Sequence, residues 1–327
     1  MAKPNISVVA PIFNERESLQ EFYRRVREAL ETTGVSWELV PVDDGSTDGT
    51  GEMLRELAEK DTLVRPVIFA RNFGHQLAVT AGLDYARGDA VVIIDTDLQD
   101  PPEIIPEMLA KWKEGYEVVF AIREEREGES WFKLATASLF YRLIYRITDV
   151  EIPLDTGDFR LLDRKVVDVL CKMRERHRFL RGMSVWVGFK QTGVRYRRAA
   201  RFAGKTKYPF RKMFKFAWDA VTSFSYLPLQ IAMYLGFIAA GLSIVAIPIV
   251  AIMRLAGSRA FFGQATTLIA VLFLGGVQLI SLGILGEYIG RLYDEAKGRP
   301  LYIVREAPRQ EDELLDIDQN ASIISRG

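Results

Sequence analysis

The sequence predicts an α/β protein, a mostly parallel β-sheet covered by helices on both faces and followed by a hairpin of two apolar helices. Three observations lead there. Through residues 1–125, short β-branched runs alternate with stretches of helical periodicity, the pattern of successive βαβ units. A polar cluster follows each of the first four strand-like runs, and in such sheets ligands bind beyond the carboxyl ends of the strands. Charge is spread through residues 1–215 and nearly vanishes in "LQIAMYLGFIAAGLSIVAIPIVAIM" (229–253) and "TTLIAVLFLGGVQLISLGILG" (266–286).

The elements follow in order. "ISVVAPIF" (6–13) reads as a strand, and the next segment places Leu19, Phe22, Val26, Ala29 and Leu30 at helical spacing. "WELVPVDD" is a second strand, with a helix from about Asp48 to Lys60 behind it. "LVRPVIFA" is a third, with a helix from about His75 to Arg87, and "DAVVIID" a fourth, with a helix opened by Pro101 and Pro102. Proline suits a first helical turn, where its missing N–H has no partner to lose. "YEVVFAI" closes the series.

After residue 125 the pattern changes. "SWFKLATASLFYRLIYRI" (130–147) is a helix apolar around most of its circumference, so it either lies in a membrane interface or packs on the sheet or a sister subunit. "YPFRKMFKFAWDAVTSFSYLP" (208–228) is basic and aromatic and runs into the first apolar block, which favours an interfacial helix. At about 1.5 Å per residue, the two apolar blocks form helices of about 37 and 31 Å, enough for a hydrocarbon core of about 30 Å. The expected division is a domain over 1–207, a juxtamembrane helix over 208–228, transmembrane helices over 229–255 and 266–289, and a C-terminal segment over 290–327 whose acidic tail is disordered.

Arg211, Lys212 and Lys215 precede the first span and Arg291, Lys297 and Arg299 follow the second, whereas the connection holds only Arg254 and Arg259. The positive-inside rule then puts both termini on the cytoplasmic side of the inner membrane, with a multi-pass hairpin between them. No apolar run near the N-terminus has the length of a signal peptide, and a lone Cys171 suits a reducing compartment. Forty-three basic residues balance forty-three acidic ones, which argues against nucleic acid as a partner.

The chemistry begins at "VVIIDTDLQD" (91–100). In an extended strand Asp95 and Asp97 would point to the same side. Two adjacent carboxylates repel unless a cation or proton lies between them, and hard oxygen ligands suit Mg²⁺ or Mn²⁺, which keep waters and take phosphates as further ligands. Gln99 would add a neutral oxygen. A D-x-D pair alone is a weak signal.

"VVAPIFNE", "VDDGSTDGT", "ARNFGHQLAVTAGLDYARGD" and "IDTDLQDPPE", in that order and spacing, resemble the inverting glycosyltransferases of family 2, which have the GT-A fold. The similarity continues through "DTGDFRLLDR" (155–164), "RFAGKTKYPFRK" (201–212) and "GEYIGRLYDEAKGRPLYIV" (286–304). It is then similar to the polyprenyl-phosphate branch, the relatives of dolichol-phosphate mannose synthase and undecaprenyl-phosphate glucosyltransferases. This resemblance implies transfer of one sugar, glucose from UDP-glucose, to the phosphate of a polyprenol in the bilayer. Mannose, galactose or an aminoarabinose derivative are the alternative sugars.

The resemblance also implies roles. Pro11, Asn14 and Glu15 would lie near the nucleoside, Asp43 and Asp44 would bind base or ribose, and Asp95, Asp97 and Gln99 would hold the metal and diphosphate. Asp158 matches the position assigned as catalytic base. A lipid phosphate is already largely a dianion at neutral pH, with a second pKa of about 6. Asp158 therefore either takes a proton, orients the acceptor, or is a carboxylate paired with Arg160. Arg201 and Lys207, in a segment that closes over the site in the family, would meet phosphate, with Lys205 a further candidate, and Arg123 and Arg126 would contact the lipid phosphate. Juxtamembrane charge that attracts anionic lipid is the simpler reading of these cations. His75 is expected to cap its helix rather than touch nucleotide.

Two other functions compete. A processive polysaccharide synthase would need a Q-x-x-R-W motif, which "QTGVRYRR" (191–198) lacks, and more spans than one hairpin. An inactive nucleotide-binding scaffold would need a damaged site. Gly276, Ser281, Gly283 and Gly286 offer small faces for helix packing, which with the resemblance leads to an expected homo-oligomer.

Overall fold

β1 (Ile6–Ile12) is buried along its whole length and forms the middle of the sheet. It runs parallel to β2 (Trp37–Asp43) on one side, from Ile6 opposite Trp37 to Ile12 opposite Asp43. On the other side β4 (Ala90–Ile93) pairs with it only as far as Val9 opposite Ile93. The Val9 carbonyl accepts the Ile94 N–H at 3.0 Å. Pro11, two residues on, faces the same side without an N–H to give, so the ladder stops there and β4 is released into the loop that carries Asp95.

The computed structural model describes residues 3–123, 156–197, 227–256 and 264–308. They fall into two compact units, the first holding the described residues up to 197 together with 300–308, the second those from 227 to 299. Residues 130–147, 208–226 and the acidic tail, with Arg126, Arg201, Lys205 and Lys207, lie outside the described residues.

In the first unit the eight described strands form one sheet. β3 (Val67–Phe69) flanks β2, and β5 (Val118–Arg123), β6 (Thr156–Asp163) and β7 (Gln191–Tyr196) lie beyond β4, giving the order β7-β5-β6-β4-β1-β2-β3 with β8 (Val304–Glu306) at the far edge. The expected parallel βαβ alternation holds for β1 to β4. The sheet as a whole is mixed, because β6 runs antiparallel to both β4 and β5 and β8 runs antiparallel to β3.

Helices α1 (Arg16–Glu31), α2 (Thr50–Lys60), α3 (His75–Tyr85) and α4 (Ile105–Lys113) occupy the expected positions, the last entered through a 3₁₀ turn at Pro102–Ile104. α5 (Arg164–Lys172) and α6 (Leu180–Trp186) follow β6. α1 buries the predicted stripe of Leu19, Phe22, Val26, Ala29 and Leu30. α3 lies so close to β1 that a Cβ on Gly82 would come within 2.1 Å of a Val9 methyl, which explains its run of small residues. That close seat fixes where the α3 N-terminus meets the sheet rim.

At the opposite, amino end of the strands, Glu38 is 2 % exposed and accepts from Ser7 Oγ (2.6 Å), Arg87 N (2.8 Å) and the guanidinium groups of Arg65 (2.8 Å) and Arg87 (2.9 Å). Burial alone would raise its pKa, but these donors outweigh it and hold the carboxyl below its ordinary value.

The second unit consists of α7 (Leu227–Leu255) and α8 (Gln264–Ala296), which pack against each other. Leu229–Ala246 and Phe273–Ala296 are long and apolar enough to cross a membrane, and none of the described side chains in these windows is buried. The chain then returns to the first unit. β8 pairs with β3, Tyr302 stacks on Phe69 at 5.1 Å and donates to Asp84 at 2.6 Å, and Arg55 grips Glu306 through two bonds of 2.8 and 3.0 Å. Residues 300–308, assigned on sequence to a separate C-terminal segment, thus belong to the sheet.

Replacing Glu38 with Gln is expected to destabilise the protein by about 3 kcal/mol at pH 7, because Arg65 would be left buried beside a neutral partner. A carboxyl whose folded pKa is depressed stabilises above its unfolded pKa of about 4.3 and ceases to as pH falls through the folded value. Urea titrations of both forms should therefore differ fully at pH 7 and converge below about pH 4.

Candidate active site

The loops that leave β1, β2 and β3 are tied to one another in sequence around the rim. Asn14, at φ 54°, donates its backbone N–H to Ser46 Oγ (2.9 Å) and accepts the Thr47 N–H at its side-chain oxygen (2.8 Å). It is thereby the latch between the first two loops. Asp43 accepts Ser46 N at 3.0 Å, and Glu15 accepts Ser18 Oγ at 2.9 Å at the start of α1. Pro11 stays in β1 below them.

Asp44 ties the second loop to the third. Its carboxylate accepts Asn72 Nδ2 (2.9 Å), Phe73 N (2.6 Å) and Gly74 N (2.9 Å). Burial nonetheless keeps its pKa raised. Asp44 is occupied in organising the loop before α3, whereas Asp43 beside it holds one turn of its own loop. The two loops touch at Gly45, whose φ is 71° and whose added Cβ would lie 2.5 Å from the Arg71 carbonyl carbon.

The third loop delivers His75. It is the first residue of α3, but the helix has no side-chain cap. The expectation of a capping role is overturned: Nε2 bonds Asp158 Oδ2 at 3.1 Å and lies 3.8 Å from Asp95 Oδ1. Burial would lower the pKa of the ring, yet the bond to Asp158 and the field of Asp95 raise it to about 9. His75 thus lies between two carboxylates that favour its protonated form.

Asp158, on β6, is the most fully held of the group. Arg181 Nε donates to Oδ1 at 2.7 Å, and Gln76 Nε2 joins His75 on Oδ2 at 3.4 Å. Burial acts to raise its pKa, but Arg181 and His75 overcome this and hold the carboxyl well below the usual range. The expected alternative of pairing with Arg160 is not what the structure gives. Arg160 is buried, its pKa lowered to about 10 by desolvation, and it bonds the backbone carbonyls of Gly157 (2.9 Å) and Asp158 (3.4 Å) and the hydroxyl of Ser184. Arg181 was missed on sequence because α6 carries no motif and Arg181 lies 23 residues beyond Asp158, with the repeated arginines of "RERHRFLRG" the signal available. Gln76 was missed although it stands inside the quoted motif "ARNFGHQLAVTAGLDYARGD".

β4 ends at Ile93, so Asp95 and Asp97 sit in a turn with Leu98 at φ 59°, not in an extended strand as the same-face argument assumed. Asp97 accepts Gln99 N at 3.1 Å, and Gln99 is buried. Asp95 Oδ1 is buried and has no hydrogen-bond partner. Burial pushes Asp95 up to about 6, with Asp158, Asp100 and Asp97 adding to the shift and His75 opposing it. Among the described residues, no three His, Cys, Asp or Glu side chains gather into a closed metal cage. An orphaned carboxylate oxygen next to a second carboxylate and a glutamine is a partial ligand set, which fits a hard divalent ion that completes its shell with water and phosphate.

Arg123 comes to the same rim from β5. It lies 3.6 Å from Asp100 and donates to the Tyr196 hydroxyl at 3.1 Å, and that hydroxyl bonds Asp100 in turn. A Cβ on Gly157 would approach Arg123 Nη2 to 2.7 Å, so the glycine leaves the channel in which the guanidinium lies.

Gly45→Ala is expected to cost about 1–3 kcal/mol from its backbone conformation alone. The approach to Arg71 should also part the second and third loops. Calorimetry should show the lower Tm, and nucleotide affinity should fall with it.

Residues 7–171 match the model of glycosyl transferase family 2, and residues 227–292 match the GtrB C-terminal hairpin. The chain is 49 % identical to the glycosyltransferase YkcC of Bacillus subtilis over 97 % of its own length and 98 % of that protein. It is 43 % identical to the bactoprenol glucosyl transferase of Shigella phage SfII (93 % and 98 %) and to a prophage homologue of that enzyme in Escherichia coli (92 % and 98 %). Among solved structures it is similar to mannosyl-3-phosphoglycerate synthase from Rubrobacter xylanophilus, at 16 % identity over 67 % of this chain and 72 % of that one, with a TM-score of 0.43. Its two long apolar helices, matched to a named family hairpin, associate it with membranes. With a GT-A-like sheet, an acidic rim at the carboxyl ends of its strands and matches along nearly its whole length, the chain is a transferase that belongs to glycosyl transferase family 2.

Proposed function

We propose that this enzyme moves one sugar, glucose from UDP-glucose, to the phosphate of a polyprenol of the undecaprenyl type at the cytoplasmic membrane face, with inversion at the anomeric carbon. The observation that carries this reading is the 43 % identity to bactoprenol glucosyl transferases over more than nine-tenths of both chains, catalytic domain and apolar hairpin together. A multi-pass hairpin with both termini in the cytoplasm suits an acceptor that cannot leave the bilayer, and the basic residues flanking the two helices support that orientation.

In this reading Asn14, Glu15 and Asp43 shape the nucleoside end of the rim, on Pro11 as a base, and Asp44 keeps the adjoining loop in place. Asp95, Asp97 and Gln99 would hold Mg²⁺ or Mn²⁺, which when bound neutralises charge on the leaving diphosphate. Arg123 presents a guanidinium for phosphate, suited to bidentate contact, and Arg126, Arg201 and Lys207 are assigned the same task from sequence. Asp158 serves as a fixed anion. Clamped by Arg181 and His75, it favours staying ionised, and a lipid phosphate with a second pKa of about 6 needs no strong base. It orients the acceptor and counters positive charge that develops on the sugar ring.

Small residues on α8 support association between copies of the chain. The hydroxyl of Ser281 bonds back to the Val277 carbonyl at 3.0 Å, and added Cβ atoms at Gly276, Gly283 and Gly286 would meet open space. Chemical cross-linking in native membranes should trap dimers or larger species, and a yield of monomers alone would refute association.

Transfer from radiolabelled UDP and GDP sugars to undecaprenyl phosphate in detergent, with Mg²⁺ or Mn²⁺, tests the reaction. One labelled lipid, made from UDP-glucose, is expected. EDTA should abolish it, and Asp97→Ala should slow it about 100-fold or more, since ligand loss forfeits several kcal/mol of charge stabilisation. Label from GDP-mannose or another UDP-sugar instead would replace the donor, and nucleotide binding without any lipid product would remove the acceptor.

A further inference from the structure

We infer that Arg181 is a positioning residue for the transfer, fixing the direction of the Asp158 carboxylate, with Gln76 as the strut that registers Arg181 against it. The inference deepens the reading above and rests on Asp158 meeting the substrates.

The two oxygens of Asp158 are held from different elements. Oδ1 takes Arg181 Nε at 2.7 Å from α6, while Oδ2 takes His75 Nε2 at 3.1 Å and Gln76 Nε2 at 3.4 Å from the start of α3. A carboxylate gripped at both oxygens cannot rotate about its terminal bond. His75 is divided between Asp158 and Asp95, 3.8 Å away, so the grip on Oδ2 alone would leave the carboxylate free to turn. Arg181 supplies the opposing hold.

The position of Arg181 is itself set by the site. The Gln76 side chain that donates to Asp158 also accepts the backbone N–H of Leu180 at 3.0 Å, one residue before Arg181. One amide therefore spaces α6 from Asp158. On the other side, Arg160 bonds Ser184 of α6 and the backbone carbonyls of Gly157 and Asp158, so strand and helix are pinned together by a different arginine. Arg160 is 4 % exposed and carries the structural load. The Arg181 side chain is 28 % exposed against 13 % for Asp158. Removing it spares the buried pin and loosens the carboxylate.

The test uses the full chain in detergent with UDP-glucose and undecaprenyl phosphate, comparing wild type, Arg181→Ala, Arg181→Lys, and Arg181→Ala with millimolar guanidinium or methylammonium. Misdirecting a reacting group by about 1 Å costs about 100-fold. The kcat of Arg181→Ala is expected to fall by about that factor while the donor KM changes less than about threefold, because Arg181 acts on Asp158 rather than on Asn14, Glu15 or Asp43. Guanidinium should restore part of the lost rate and methylammonium should not, and Arg181→Lys should recover little, since an ammonium lacks the planar Nε–H donor. An unchanged kcat in Arg181→Ala would overturn the inference, as would a loss matched by a large fall in Tm and indifferent to guanidinium. UDP release without acceptor is measured in parallel. If wild type releases UDP but labels no lipid, the acceptor reading fails and the Arg181 comparison is decided on UDP release. If it does neither, both fall.

Discussion

Like charges crowded on one rim repel, and the site depends on how that repulsion is met. Asp95, Asp97, Asp100 and Asp158 stand at the carboxyl end of the sheet. Asp100 is answered by Arg123 and Tyr196, and Asp158 by Arg181, His75 and Gln76. Among the described residues Asp95 has only the distant edge of His75, and one of its oxygens is buried without a donor. Among those residues the balance is therefore uneven. A group left unanswered in a low-dielectric pocket is costly to the fold, and such costs collect where chemistry is done.

The loops that surround this rim are joined in a chain rather than anchored one by one. Asn14 holds the second loop, Asp44 the third, and the third places His75 against β6. The first two links are short polar side chains reaching backbone N–H groups of the neighbouring loop, and the third is the side-chain bond of His75 to Asp158. A displacement at the nucleoside end is thereby transmitted through hydrogen bonds to the residues around Asp158.

Much of this was legible in the sequence, because the first four strands and their helices obey simple periodicity, and because β1 to β4 each end in polar residues. What was not legible has physical reasons. β6 reads ambiguously, since Asp158 and Arg160 interrupt its apolar run and their burial is made tolerable by partners distant in the chain. β8 is three residues long and draws its stability from Tyr302, Asp84 and Arg55, not from propensity. His75 was misread because a residue at the first position of a helix looks like a cap until the strand opposite is known. The assumption that Asp95 and Asp97 lie in an extended strand failed because β4 ends at Ile93, where Pro11 stops the ladder.

The return of the chain to β3 after the apolar helices bears on biogenesis. Strand β3 has β2 on one flank and β8 on the other, and β8 is translated only after both long helices. Until then the nascent domain presents an open strand edge, with Phe69 lacking its stacked partner. Closure of the sheet is thus timed to follow synthesis of the hairpin, and a polypeptide released before residue 300 carries an unsealed edge however well its other strands have formed.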